Sequence, residues 1–199
     1  MLSLENVEKK YNDTKILKNI TIEFQMGSLY ILTGPNGSGK STLIKIISNI
    51  IFKTEGKINI NESISYLPDK YMLPKLMRTD EYIKNILKLY KLKINPLDIL
   101  NKFNIPKKLI GSLSKGNLQK IGIFQAFYND ADIYILDEPI DGLDDFAKKI
   151  FKELIKEKLE LKKTIILSLH DKKFLNEFNP TIYEIKDGIL NEKKRRKKK

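Results

Sequence analysis

Residues 34–42 read Gly-Pro-Asn-Gly-Ser-Gly-Lys-Ser-Thr, a loop of the form G-x-x-x-x-G-K-[ST]. No other stretch constrains the fold as tightly, because such a loop works only between an entering strand and a departing helix. Its glycines let the backbone curl until successive N–H groups point inward at an anion. Lys40 can reach the far end of a phosphate chain, and the Ser41 hydroxyl can ligate a magnesium ion beside it. The helix that follows adds its positive N-terminal end to the same site. Both flanks have the required character. Leu29–Thr33 is a short apolar run suited to a buried strand. Leu43, Ile44, Ile46, Ile47, Ile50 and Ile51 recur at helical spacing, which predicts a helix carrying all of them.

The chain has 199 residues, enough for one sizeable domain with a large core. It is 41% hydrophobic, yet no stretch approaches the ~20 apolar residues of a membrane span. The first residues, Met-Leu-Ser-Leu-Glu-Asn, lack the charged-then-apolar pattern of a secretory signal, so a cytoplasmic location is expected. The absence of cysteine removes disulfides, iron–sulfur clusters and thiol catalysis. Net charge is +12, of which residues 193–199 carry +7. So dense a block repels itself and is expected to be disordered. It is either a solvated tail or a contact for anionic lipid; nucleic acid is the less favoured partner.

Alternation of apolar and polar positions predicts half-buried strands over residues 2–8 and 20–25. Residues 57–60 and 64–67 read as further strands, closed by Pro68. Residues 80–92 carry a helical pattern, and Pro96 and Pro106 bracket a shorter helix. Residues 70–112 therefore read as a helical insertion between strand-rich halves, 1–69 and 113–192. Helices are expected over 116–129 and 145–161. The apolar runs 131–136 and 164–169 suit central parallel strands. Residues 181–185 and the Lys186-Asp187-Gly188 turn predict a closing hairpin.

A second constellation lies at 133–138, Ile-Tyr-Ile-Leu-Asp-Glu. A buried strand ending in two acids delivers Asp137 toward a magnesium ion beside the loop. Glu138 then falls where a carboxylate can orient a water and accept its proton. The single histidine, His170, follows the apolar run 165–169, at the end of a neighbouring strand. Open parallel sheets bind ligands at the carboxyl ends of their strands, so His170 can hydrogen-bond the terminal phosphate there. Leu113-Ser114-Lys115-Gly116-Asn117 precedes a helix. Ser114 is either an ordinary N-cap or part of another anion site.

Taken together these residues resemble the ATP-binding subunit of ATP-binding-cassette (ABC) transporters, over about residues 2–190. The resemblance implies an α/β fold: a phosphate-loop NTPase core with a mainly parallel sheet, an N-terminal antiparallel β subdomain and a helical insertion. It makes residues 34–42 the Walker A loop, with Asn36, Gly37, Ser38, Gly39, Lys40, Ser41 and Thr42 on the phosphates. Asp137 ends the Walker B strand, Glu138 is the catalytic base and His170 the switch histidine. Leu113 to Asn117 resembles the signature motif, with Ser114 and Gly116 on nucleotide. Asp144 closes a D-loop, and Tyr11 stacks on adenine. Three positions depart from the usual pattern. Lys115 and Asn117 stand where the signature has Gly and Gln, and Asp69 stands where the Q-loop has Gln. Asp69 joins Ser41 and Asp137 in the implied magnesium set.

The resemblance further implies ATP and Mg²⁺ as ligands and head-to-tail pairing with a second ATP-binding subunit. It implies a separate transmembrane permease, docked near Asp69, Met72, Leu73, Leu76 and Met77, and a place on the inner face of the membrane. The signature variant and the Tyr-Leu-Pro-acid sequence are similar to ABC-2-type exporters. The competing readings are a soluble ABC protein acting on ribosomes or nucleic acid, and a regulatory cassette with weak turnover.

Overall fold

The computed structural model describes residues 2–193. Two sheets divide the strands. The smaller is antiparallel, with β1 (Leu2–Tyr11) between β2 (Thr14–Phe24) and β4 (Glu55–Asn59). The larger contains β3 (Leu29–Thr33), β5 (Ile64–Leu67), β6 (Ile133–Leu136), β7 (Thr164–Ser168), β8 (Thr181–Lys186) and β9 (Ile189–Glu192). Its order is β5-β6-β7-β3-β8-β9, parallel throughout except for the closing β8–β9 hairpin. Every residue of β3, β6 and β7 is buried, as a parallel strand covered on both faces requires. The expected α/β architecture, mainly parallel with an antiparallel N-terminal sheet, is what forms.

The helices are α1 (Lys40–Ile47), α2 (Thr79–Leu89), α3 (Pro96–Phe103), α4 (Lys115–Tyr128) and α5 (Asp145–Glu160). Strand alternation splits the core in two. Ile31, Tyr134, Leu136, Ile165 and Leu167 pack with α2 to α5. Leu32, Ile133, Ile135 and Ile166 face the other way, toward α1 and the antiparallel sheet. On the first face Phe127 of α4 stacks on Tyr134 at 5.5 Å and meets Phe151 of α5 edge-on at 5.7 Å. Those contacts hold α4 and α5 against β6, and so fix where the loops around β6 emerge.

One expectation needs adjustment. The helix after the glycine loop stops at Ile47 rather than carrying Ile50 and Ile51. Asn49 adopts a left-handed φ of 56°, Asn49 N donates to Ile46 O at 3.1 Å, and Ile50 N donates to Lys45 O at 2.8 Å. This pair of bonds is a Schellman stop, which satisfies the last carbonyls and turns the chain away. Ile50 is left exposed, and Ile51 packs beside the second core from outside the helix. The strands expected near 57–60 and 64–67 both form: β4 joins the antiparallel sheet and β5 the edge of the parallel one. The basic segment of residues 194–199 lies outside the described residues. Lys193, the last one described, pairs with Glu184 at 2.6 Å.

Candidate functional site

The glycine loop leaves β3 after Thr33 and enters α1 at Lys40. Only glycine fits at its start: Gly34 has φ 143°, and a Cβ there would fall 2.2 Å from the Ile185 carbonyl oxygen. Lys40 is 5% exposed, and its ammonium donates to Gly34 O at 3.0 Å and Pro35 O at 3.1 Å. That leaves one of its three hydrogens for a ligand. Ser38 Oγ is buried with no hydrogen-bond partner. Gly39 caps α1 with no side-chain acceptor, and no acid stands in the first turn. A spare ammonium hydrogen, an orphaned hydroxyl and an uncapped helix start all favour an anion at this place. The residues therefore fit a phosphate chain. Asn36 and Gly37 are exposed at the loop's outer rim, and Ser41 and Thr42 are half-buried in the first turn of α1.

β5, β6, β7 and β3 are consecutive and parallel, so their carboxyl ends emerge on one edge. That edge carries half-buried Asp69 after β5, Asp137 and Glu138 after β6, His170 after β7, and the glycine loop after β3. Asp137 is buried, and its Oδ1 accepts from Ser168 Oγ at 2.6 Å. Glu138 has a left-handed φ of 49°, and its N–H donates to the same Ser168 oxygen at 2.8 Å. His170 Nε2 lies 3.1 Å from Glu138 Oε1. No group of three or more His, Cys, Asp or Glu gathers among the described residues. Ser41 and Asp137 offer hard oxygen ligands of the kind magnesium accepts when phosphates and waters complete its shell.

The segment 113–117 is held by a different set of contacts. Ser114 is the N-cap of α4, its hydroxyl accepting from Asn117 N at 3.3 Å. From there α4 is tied to the 139–144 loop four times. Lys115 forms an ion pair with Asp141. Gly116 lies so close to Gly142 that a Cβ would come within 2.5 Å of its carbonyl oxygen. Gln119 Nε2 donates to Pro139 O at 2.9 Å, and Lys120, with its side chain 4% exposed, pairs with Asp144 at 2.8 Å. Asp144 also caps α5, accepting from Ala147 N at 2.7 Å. The Lys115 hydrogen bond holds the Asp141 carboxyl below its usual range, and Lys120 does the same for Asp144. Asp141 in turn raises Lys115, with smaller contributions from Asp69 and Glu138.

Tyr11 ends β1 on the antiparallel sheet, 49% exposed, with the Lys9 ammonium 4.8 Å over its ring. Of the expected permease-facing residues, Met72 and Leu76 are exposed while Leu73 and Met77 pack against the core. Met72, Leu73 and Asp69 line a cleft of about 580 Å³ with Tyr71, Lys115 and Gln119. Three residues at these places escaped the sequence reading: Ser168, Gln119 and Lys120. Only Ser168 left a signal, as the one hydroxyl inside an apolar run and two residues before His170.

A family model described as ABC transporter matches residues 17–141, from within β2 into the 139–144 loop. This chain belongs to the ABC transporter family. It is an ATP-binding cassette, the ATPase component of that family. The cassette is 34% identical to an uncharacterized ABC transporter ATP-binding protein of Methanocaldococcus jannaschii, over 94% of this chain and 74% of the relative. It is 31% identical to the lantibiotic transport ATP-binding protein SrtF of Streptococcus pyogenes, over 92% of this chain and 87% of the relative. Among solved structures it resembles a dimeric bacterial ABC transporter cassette, with TM-score 0.82 and 24% identity over 96% of this chain and 98% of that one. Among the described residues no helix is long and apolar enough to cross a membrane.

Proposed function

We propose that this cassette binds and hydrolyses ATP to power a membrane transporter, an exporter, through a separate permease. One observation carries the reading: the glycine loop, Asp137, Glu138 and His170 leave neighbouring parallel strands on one edge. Lys40, Ser38 and the start of α1 hold the phosphates. Ser41 and Asp137, with Asp69 at the next strand end, would hold Mg²⁺ through oxygen. Bound there, the ion would offset charge growing on the phosphate oxygens. Glu138 orients the attacking water and takes its proton, and His170 holds Glu138 and the terminal phosphate in line. Tyr11 offers an open ring face to adenine.

Ser114 and Gly116 belong to a different part of the chain, at the start of α4 beside the 139–144 loop. In this reading a second copy brings them to the nucleotide, so that two ATP molecules are closed between two cassettes. Asp144 sits at the foot of the same seam. The cleft beside Asp69, with Met72 at its mouth, suits an apolar segment of the permease. The cassette then lies on the inner face of the membrane without crossing it. The export direction draws on Leu113 to Asn117 and on Tyr66-Leu67-Pro68-Asp69. One relative is named for lantibiotic transport, and another, in Wigglesworthia glossinidia brevipalpis, for zinc import.

Glu138→Gln separates binding from chemistry. It should keep Mg²⁺-ATP affinity, lose turnover about 10²- to 10⁴-fold, and accumulate as an ATP-bound dimer in light-scattering chromatography. Full turnover in that variant would remove Glu138 as the base.

A further inference from the structure

We infer that Ser168 is a positioning residue for hydrolysis, setting both acids at the end of β6 through one hydroxyl. The inference rests on the roles proposed above for Asp137 and Glu138. Ser168 ends β7, is fully buried and stands across the sheet from both acids. A serine hydroxyl has one hydrogen to give and lone pairs to receive. Here the hydrogen goes to Asp137 Oδ1 at 2.6 Å, and the oxygen receives the Glu138 N–H at 2.8 Å. Each bond therefore fixes the direction of the other. One oxygen of Asp137 is committed to Ser168, which would leave its second oxygen to hold the metal.

The bond to Glu138 has its own consequence. Glu138 holds a left-handed backbone at φ 49°, which L-residues other than Asn, Asp and His adopt rarely. Such a residue persists only when its surroundings over-determine it. The end of β7 does this twice. Ser168 takes the backbone N–H of Glu138, and His170, two residues later, meets its carboxylate at 3.1 Å. Between them, Leu169 N donates to Leu32 O at 3.2 Å, tying this segment to the strand that feeds the glycine loop. A buried hydroxyl serving only packing would be costly without partners. Both partners here are the two residues that the chemistry needs.

The test uses the full chain carrying Ser168→Ala, with Ser168→Cys, a close match in shape and a weaker donor, as the graded variant. Three quantities are read besides stability. These are amide hydrogen exchange at Asp137 and Glu138 without nucleotide or metal, Mn²⁺ affinity by electron paramagnetic resonance with a non-hydrolysable ATP analogue, and kcat against KM. Ser168→Ala should speed exchange at Glu138. It should weaken Mn²⁺ binding and lower kcat by about 10- to 100-fold, the usual cost of losing a residue that orients a ligand. KM for ATP and metal-free nucleotide affinity should stay within about twofold, since the glycine loop is untouched. Ser168→Cys should fall between, and it carries the test by the same criteria if the alanine variant does not fold. Unchanged exchange, Mn²⁺ affinity and kcat would overturn the inference. So would a parallel loss of metal-free nucleotide affinity, which would mark general damage. Glu138→Gln run alongside keeps the two readings apart: if it loses turnover while Ser168→Ala keeps all three quantities, only the role of Ser168 fails.

Discussion

Lys120 and Asp144 form an unequal pair. The lysine side chain is 4% exposed and the aspartate side chain 56%, and the aspartate also caps α5. Removing either partner removes one salt bridge, yet the two losses differ. Asp144→Ala deletes a helix cap and strands a buried ammonium. It should destabilise by about 2 kcal/mol, between the cost of a lost cap and that of a broken, partly buried pair. Lys120→Met fills the same space without a charge to desolvate and should cost under about 1 kcal/mol. Urea unfolding at neutral pH measures both, and equal losses would mean the ammonium is better solvated than its burial implies. The same contrast explains what sequence could show at this scale. The glycine loop, Asp137, Glu138 and His170 stand out because apolar strands bracket them. Lys120 does not, because its partner lies 24 positions away and is chosen by the packing of α4, and Ser168 shows only as a hydroxyl in an apolar run, its partners 31 and 30 positions away and chosen by the packing of β7.

Strands were the most legible elements and helix ends the least. β6 and β7 are buried on both faces, so unbroken apolar runs marked them. The helix ends lack the usual glycine. After α1, α2, α3 and α5 the chain turns through Asn49, Lys91, Asn104 and Lys162, each with φ between 49° and 60°. The bonds repeat as well: Ile50 N to Lys45 O, Leu92 N to Leu87 O, Ile105 N to Leu100 O and Lys163 N to Lys158 O, all at 2.8–2.9 Å. With Asn or Lys in the left-handed position, the isoleucines beyond α1 extended its apparent pattern past the true stop. Lysine is strained in that conformation and glycine is not. Lys91→Gly and Lys162→Gly should therefore each stabilise by about 0.5 kcal/mol, the strain relief less the extra freedom of unfolded glycine. The unfolding midpoint in urea should rise in both, and a fall would show that the lysine stems contribute packing that outweighs the strain.

At the scale of the whole molecule, charge ties the helical part to the sheet. Asp141 and Asp144 both titrate below the ordinary 3.8 because Lys115 and Lys120 hydrogen-bond their charged forms. Asp80, in the first turn of α2, is lowered by Lys107 in the same way. A carboxyl depressed on folding contributes its full stabilisation above the unfolded value and loses it as pH falls through the folded one. Acid should therefore weaken these ties below about pH 3.8, with no loss from them between pH 5 and 7. Hydrogen exchange of α4 and the 139–144 loop at pH 5 and pH 3 would detect it. Uniform loosening of the whole chain instead would assign the acid response to other groups. High salt should shrink the effect at Asp141 and Asp144, whose side chains are more than half exposed.

The seam between α4 and the 139–144 loop bears on timing. Ser114 begins the helix that is fastened to Pro139, Asp141, Gly142 and Asp144, and Pro139 follows Glu138 directly. Whatever grips Ser114 therefore also pulls on the peptide that follows Glu138, the proposed base. In a head-to-tail pair Ser114 would grip the partner's nucleotide, so each hydrolytic centre would be cocked by the ligand of the other. Turnover plotted against ATP concentration should then be sigmoidal, with a Hill coefficient rising from one toward about two. Cutting the seam at Lys115→Ala should flatten the curve toward a hyperbola. A hyperbola in the unaltered cassette would mean that the two copies fire on independent clocks.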